Sequence, residues 1–251
     1  MKFYLFFIAN VIVFITLFWL NPSVYDVISR EDHLIENLTA VALFSAGLFL
    51  VLGGIKNTYK KSSINALLIF VGVLFFFGAG EEISWGQRIF GWETPDRLME
   101  INDQNETNIH NINKKFFDRL VDRATIIFVF FATYLLVSGR TNFKGIPYPN
   151  GYVLLCFAIT PFYHQYNSLT VDFYHLLFIP LLVLIYYGWR SNKKFFYTTI
   201  STLLLILLVS IIHFQFNTSF PEHNNSANEF REYLFSLCCL NYAFAIYNPK
   251  N

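Results

Sequence analysis

Two adjacent carboxylates, Glu81 and Glu82, close an apolar run from Ile64 to Phe77, and a hydroxyl (Ser84), an indole (Trp85), an amide (Gln87) and a guanidinium (Arg88) follow at once. Acids at the end of a membrane-length apolar segment are expensive to hold, so they raise a functional-site hypothesis by default. The negative end of a helix dipole and the neighbouring like charge both disfavour ionisation, so each acid is expected to seek a proton, a cation or a metal. If the helix continues, Glu81, Ser84, Trp85 and Arg88 share one face at i, i+3, i+4 and i+7, and Arg88 supplies the compensating charge. In a catalytic reading, Glu81 or Glu82 is general base or metal ligand, Ser84 belongs to the same set, and Gln87 and Arg88 bind an oxyanion or phosphate. The bland alternative is a buried Glu–Arg network that only holds structure. Gly78, Gly80 and Gly86 serve either close helix packing or room for a substrate.

Histidine supplies the second chemistry. His110, His164 and His175 are expected at the same membrane depth as Glu81 and Glu82. Imidazole and carboxylate oxygen suit a divalent metal such as Zn, Mn or Fe at an open site. Neither H-E-x-x-H nor H-x-x-x-H occurs, and a histidine ending an outward-running span also suits the helix dipole. Trp85, Glu106, Asn108, Asn111 and Asp172 are the candidates for substrate contact, Trp85 and Trp92 reading equally as interfacial aromatics. Four other acids have a simpler reading. Ser29-Arg30-Glu31-Asp32 and Ser226-Ala227-Asn228-Glu229 resemble capping boxes, and Thr170-Val171-Asp172 caps in the same way.

What positions these residues is a membrane fold. The chain is 55% hydrophobic, 20% aromatic and only 14% charged, against about 25% charged in a soluble domain. A span needs roughly 20 apolar residues, and eight runs qualify or come close: Phe3–Leu20, Leu34–Ile55, Ile64–Gly80, Ala124–Ser138, Gly151–Tyr163, Phe173–Trp189, Phe195–His213 and Phe230–Tyr247. The first lacks a small-residue cleavage site and reads as a retained span rather than a signal peptide. The fifth is short and carries Pro161, which favours a kink or an early stop, as in segments that line cavities. The expected fold is an all-α polytopic bundle in a single domain.

Eight spans divide the charges sharply. Ten basic residues and no acid fall on one side, while all 17 acids and all six histidines fall on the other. The basic side is expected in the cytoplasm, with both termini there, and the acid–base chemistry on the outer face. The segment Glu81–Arg123 is the one long extramembrane stretch: Trp92 to Asp96 reads as a turn into a short helix. Lys114–Arg123 sets Phe116, Phe117, Leu120 and Val121 on one stripe, which predicts an interfacial helix that then turns into the fourth span. A net charge of +1 excludes a nucleic-acid face, and no phosphate-binding glycine motif is present, so neither nucleic acid nor nucleotide is an expected partner. The three cysteines have no metal or disulfide spacing.

Glu31-Asp32 with Glu36-Asn37-Leu38-Thr39-Ala40, then Glu81-Glu82-Ile83-Ser84-Trp85-Gly86-Gln87-Arg88-Ile89-Phe90-Gly91, then Asn102, Gln104, Glu106, Asn108 and His110-Asn111 together resemble a family of uncharacterised bacterial multi-pass membrane proteins. The resemblance covers about the first 125 residues and implies a bacterial inner membrane with a shared site facing the periplasm. The family has Gly where this chain has His33, which argues against His33 as a ligand. A more distant likeness of layout is to alkaline-ceramidase-type membrane hydrolases, whose paired His-x-x-x-His this chain lacks. The expected function is a hydrolase or transferase, metal-dependent in one form, acting on a lipid or lipid-linked substrate. The alternative is a non-catalytic subunit docking a periplasmic or membrane protein. An ion- or proton-coupled carrier ranks below both, because carriers place ionisable groups near the midplane.

Overall fold

A computed structural model describes residues 1–29, 33–56, 62–100, 107–109, 112, 114–140, 142–143, 146–163, 173–219 and 226–248. The described residues are all-α apart from one two-stranded turn. The helices are α1 (Lys2–Leu20), α2 (Pro22–Ser29), α3 (Leu34–Ile55), α4 (Ser62–Glu82), α5 (Gln87–Phe90), α6 (Asp96–Met99), α7 (Lys114–Val137), α8 (Gly151–Ile159), α9 (Phe178–Ser191), α10 (Lys193–Ser219) and α11 (Ser226–Tyr247). The strands β1 (Asn142–Phe143) and β2 (Ile146–Pro147) pair antiparallel between α7 and α8. Each of the eight apolar runs contains a helix. Among the described residues five helices are long and apolar enough to cross a membrane: α1, α3, α4, the Arg119–Val137 part of α7 and the Lys193–Ile212 part of α10.

The other three depart from the span rule for visible reasons. Helix α8 is short because it is a core helix: Val153 through Ile159 are buried on every side, as an all-round apolar helix must be. It tightens at Thr160–Phe162 into a 3₁₀ turn carrying Pro161, the early stop that Pro161 predicts. Helix α9 has 14 residues and is entered through a 3₁₀ turn, Tyr174–Leu177. Helix α11 has the length, 22 residues, but begins with Glu229, Arg231 and Glu232.

Helices α8 and α11 are enclosed by the rest. Helix α1 turns Phe7, Val11, Phe14 and Phe18 inward, at the three- and four-residue spacing of one helical face, and leaves Leu5, Phe6, Ile12 and Val13 outward. Phe44, Leu67, Phe70, Val73, Leu74 and Ile127 are likewise exposed, and this apolar surface fits hydrocarbon. Helices α3 and α4 run antiparallel along a glycine seam. A Cβ on Gly47 would lie 2.8 Å from the Gly72 carbonyl oxygen, and one on Gly54 only 2.6 Å from that of Asn65. Helix α11 lies parallel to α3, with Phe49 against Phe244 and Tyr247, and α9 and α10 form an antiparallel hairpin in which Gly188 meets Phe195 and Phe196.

One end of the bundle collects the start of α3, the end of α4 and the starts of α7 and α11. This end carries Glu36, Glu81, Asp122 and Glu229, all buried, and is called the acidic end below. The predicted break between an interfacial helix and the fourth span does not occur: α7 is one continuous helix of 24 residues. Its first turns do carry the stripe, with Phe116, Leu120 and Val121 exposed. Arg119 and Arg123 are exposed beside it, on a helix that runs on unbroken.

Candidate functional site at the acidic end

Helix α4 does not continue through the motif. It stops at Glu82, and Ser84 and Trp85 take left-handed backbone conformations, φ 47° and 56°, in the turn Ser84–Gly86. Non-glycine residues there are strained, by about 1–3 kcal/mol each, so the shared face of Glu81, Ser84, Trp85 and Arg88 is not built. Contacts around the turn offset the strain. The Trp85 ring folds back onto Gly80, where a Cβ would come within 2.9 Å of it, and meets Phe77 edge-on at 5.2 Å. The Trp85 indole Nε1–H then donates to Glu81 Oε1 at 2.6 Å. Gly80 therefore serves packing, and Gly86, at φ 78°, serves the turn.

A strap crosses this turn. The backbone N–H of Ile109 donates to Glu81 Oε2 at 2.6 Å, and Asn108 Nδ2 donates to Ser84 Oγ at 3.2 Å. Gln87 works in both directions: its Nε2 donates to Thr94 Oγ1 at 2.6 Å, and its Oε1 accepts from the Thr107 backbone N–H at 2.7 Å. Residues 107–109 are thus tied to the end of α4 by three motif side chains. The buried Glu81 carboxylate receives one donor on each oxygen, and such charge-assisted bonds are roughly twice as strong as neutral ones. That is how the chain meets the cost of an acid at a helix C-terminus: with N–H donors from Trp85 and from a loop 28 residues on.

A second polar centre lies between α7, α11 and the turn before α9. Tyr174 Oη donates to Asp122 Oδ2 at 2.8 Å, and Arg231 Nη1 meets the same oxygen at 3.1 Å. Arg231 Nη2 reaches Glu232 Oε1 at 3.2 Å. The Asp122 and Arg231 side chains are 7% and 3% exposed, so this ion pair is buried. Three residues before Arg231, on the same helix face, Asn228 Oδ1 is buried with no hydrogen-bond partner among the described residues. From sequence, Asp122 and Arg231 enter only the tally of charges on the outer side. The signal was available in Arg231, which stands inside the apolar run Phe230–Tyr247, where an ionisable residue is a functional candidate by default.

Aromatic rings floor this end. Phe230 stacks on Tyr25 at 4.4 Å and packs against Phe14 at 4.0 Å, and the Tyr25 and Tyr163 hydroxyls meet at 3.4 Å. Burial, with the nearby Tyr163 hydroxyl, pushes the Tyr25 phenol well above its ordinary value of 10.0. Capping divides. Glu229 lies in the first turn of α11, where an acid suits the dipole. The box beginning at Ser29 is not formed by that residue: its hydroxyl donates back to Tyr25 O at 2.8 Å, and the N-cap of α3 is His33.

Of the other predicted site residues, Glu82 is half-buried, Trp85 is exposed along part of its ring, and His175 is exposed in the turn Tyr174–Leu177. His110, His164, Glu106, Asn111 and Asp172 lie outside the described residues, as do Glu31 and Asp32. Arg88 falls in α5, with its side chain outside them too. Among the described residues no three His, Cys, Asp or Glu side chains gather to hold a metal ion; two of the three histidines expected to bind one, His110 and His164, lie outside those residues. Comparison with known protein families, with curated proteins and with solved structures finds no match to this chain.

Proposed function

We propose that this is an eight-span protein of a bacterial inner membrane, with both ends in the cytoplasm and the acidic end facing the periplasm, acting there as a hydrolase or transferase on a lipid or lipid-linked substrate. The observation that carries the reading is the buried Asp122–Arg231–Tyr174 centre, with the unmatched Asn228 Oδ1 beside it. Burying an ion pair rarely stabilises a fold more than apolar packing would, so its retention at the end of a membrane bundle favours a use. Asp122 and Tyr174 form an acid–base pair already joined by a hydrogen bond, the geometry proton transfer needs. Arg231 holds Asp122 in place, its two Nη groups engaged by Asp122 and Glu232. Glu81, Ser84 and Gln87 are positioning residues in this scheme, holding 107–109 in place. The sidedness of acids and histidines in the sequence supports the orientation, and the motif resemblance supports the bacterial membrane.

The test is turnover of bacterial phospholipids and lipid-linked intermediates by the purified protein in vesicles. Asp122→Asn and Tyr174→Phe should lose turnover at least a hundredfold per folded molecule, the scale of a general acid–base group, with the folded fraction of each variant measured by thermal unfolding. No turnover by the native chain, together with an unchanged lipid profile in a deletion strain, would overturn the reading. A second reading, a docking subunit, is favoured by a different observation: the motif side chains are spent on fixing an ordered surface segment. It predicts a partner that copurifies with the native chain and is lost on Asn108→Ala.

A further inference from the structure

Below the polar centre lies a cavity of about 350 Å³ between α3, α4, α7, α8 and α11, its wall including Leu67, Phe75, Ala124, Phe128, Phe157 and Phe235. The volume is within the roughly 300–1,000 Å³ of ligand pockets. The wall offers no free hydroxyl. Thr125 donates to Val121 O at 2.8 Å and Tyr242 to Pro147 O at 2.8 Å. An apolar cavity of this kind stays dry and takes an apolar guest.

Its mouth opens sideways. Helix α4 packs along α3, and α7 along α8 and α9, but α4 and α7 form no packed seam with each other. Leu67 on α4 lines the cavity and is 50% exposed, and Ala124 on α7 lines it and is exposed. Both belong to the apolar outer surface that suits hydrocarbon. The guest must therefore enter from the bilayer.

Size selects the guest. The cavity follows α4 from Leu67 to Phe75 and α11 from Phe235 to Ile246, about 12 Å and about 16.5 Å at 1.5 Å per residue, close to one leaflet of a hydrocarbon core about 30 Å thick. A long polyprenyl chain would overrun the length. One fatty-acyl chain fits. The head end is also marked: Asp122 stands three residues before Thr125 and Arg231 four before Phe235, so each shares its helix face with the upper wall.

We infer that the α4–α7 opening admits one acyl chain of a membrane phospholipid into this cavity, with the phospholipid's headgroup at the Asp122–Arg231 centre. The inference rests on the membrane reading but not on the reaction: a lipid held without turnover leaves it standing and removes the enzyme, and turnover without a held lipid does the reverse.

The test is native mass spectrometry of the full chain, delipidated in detergent and then titrated with palmitoyl-oleoyl phosphatidylethanolamine or, separately, with undecaprenyl phosphate. The native chain should hold one phosphatidylethanolamine. Ala124→Trp and Leu67→Trp, both at exposed positions where a larger side chain need not disturb the fold, should weaken that binding at least tenfold. Ile127→Trp, on the lipid-facing side of α7 and outside the wall, should not. Thermal unfolding of each variant checks that it is folded. No phospholipid held by the native chain, equal binding by all three variants, or a preference for undecaprenyl phosphate would each overturn the inference.

Discussion

Glu81 does two jobs with one carboxylate: it seats the Trp85 indole and it anchors residue 109. Each bond to a charged group contributes about 1.5–3 kcal/mol. Glu81→Ala should therefore release the strap without unfolding the bundle, seen as at least tenfold faster hydrogen exchange at the Ile109 amide and a red-shifted Trp85 emission. Arg231 is the contrasting case. Removing one partner of a buried pair costs about 3–5 kcal/mol, whereas replacing both with apolar residues of similar size is often neutral. Asp122→Leu alone should thus lower the unfolding midpoint in detergent sharply, and Asp122→Leu with Arg231→Met should restore most of it. The sequence singles out Glu81 for a sound reason, the cost of an acid at a span end, but the remedy comes from residues that no local pattern connects. Asp122 and Arg231 are 109 residues apart, and their pairing has no signature in spacing.

At the scale of elements, α3 and α4 show how little side chain a tight seam tolerates. A methyl on Gly72 would lie 2.7 Å from a Val51 side-chain carbon and 2.8 Å from the Gly47 carbonyl oxygen, whereas on Gly78 the nearest atom, on Leu43, is 3.6 Å away. Gly72→Ala should cost about 1–3 kcal/mol, the usual penalty for overpacking. Gly78→Ala should be neutral or stabilise by about 0.4–1 kcal/mol, since it only removes unfolded-chain freedom. Thermal melts of the two variants in one detergent compare them directly. The apolar runs locate these helices well, because twenty apolar residues have few other uses. They do not reveal that α8 and α11 face protein rather than lipid, since a core helix and a lipid-facing helix read alike in composition. Nor do they reveal the left-handed turn at Ser84 and Trp85, where tertiary contacts override the helical spacing.

For the whole molecule, pH gives a test of how closely the acidic end is packed. Tyr25 is buried and its phenol is held above the ordinary value of 10.0. Below about pH 10 the phenol is neutral in both the folded and unfolded chain and contributes no pH dependence. As pH rises past that point the unfolded chain ionises first, so the stability present at lower pH is lost. The unfolding midpoint should fall above about pH 10, and Tyr25→Phe should blunt that fall. The enclosure of α11 has a further consequence, for how the protein is made. A helix is accepted into a bilayer according to its own sequence, and each Arg or Asp at a helix centre sets about 2.5–3.5 kcal/mol against acceptance, less toward the ends. Helix α11 opens with Glu229, Arg231 and Glu232, and Arg231 finds its cross-helix partner, Asp122, on α7. It is a poor solitary passenger for the insertion machinery. On the eight-span reading proposed above, the charged centre is best delivered into a bundle already waiting to receive it, which makes assembly order part of how the buried pair is formed.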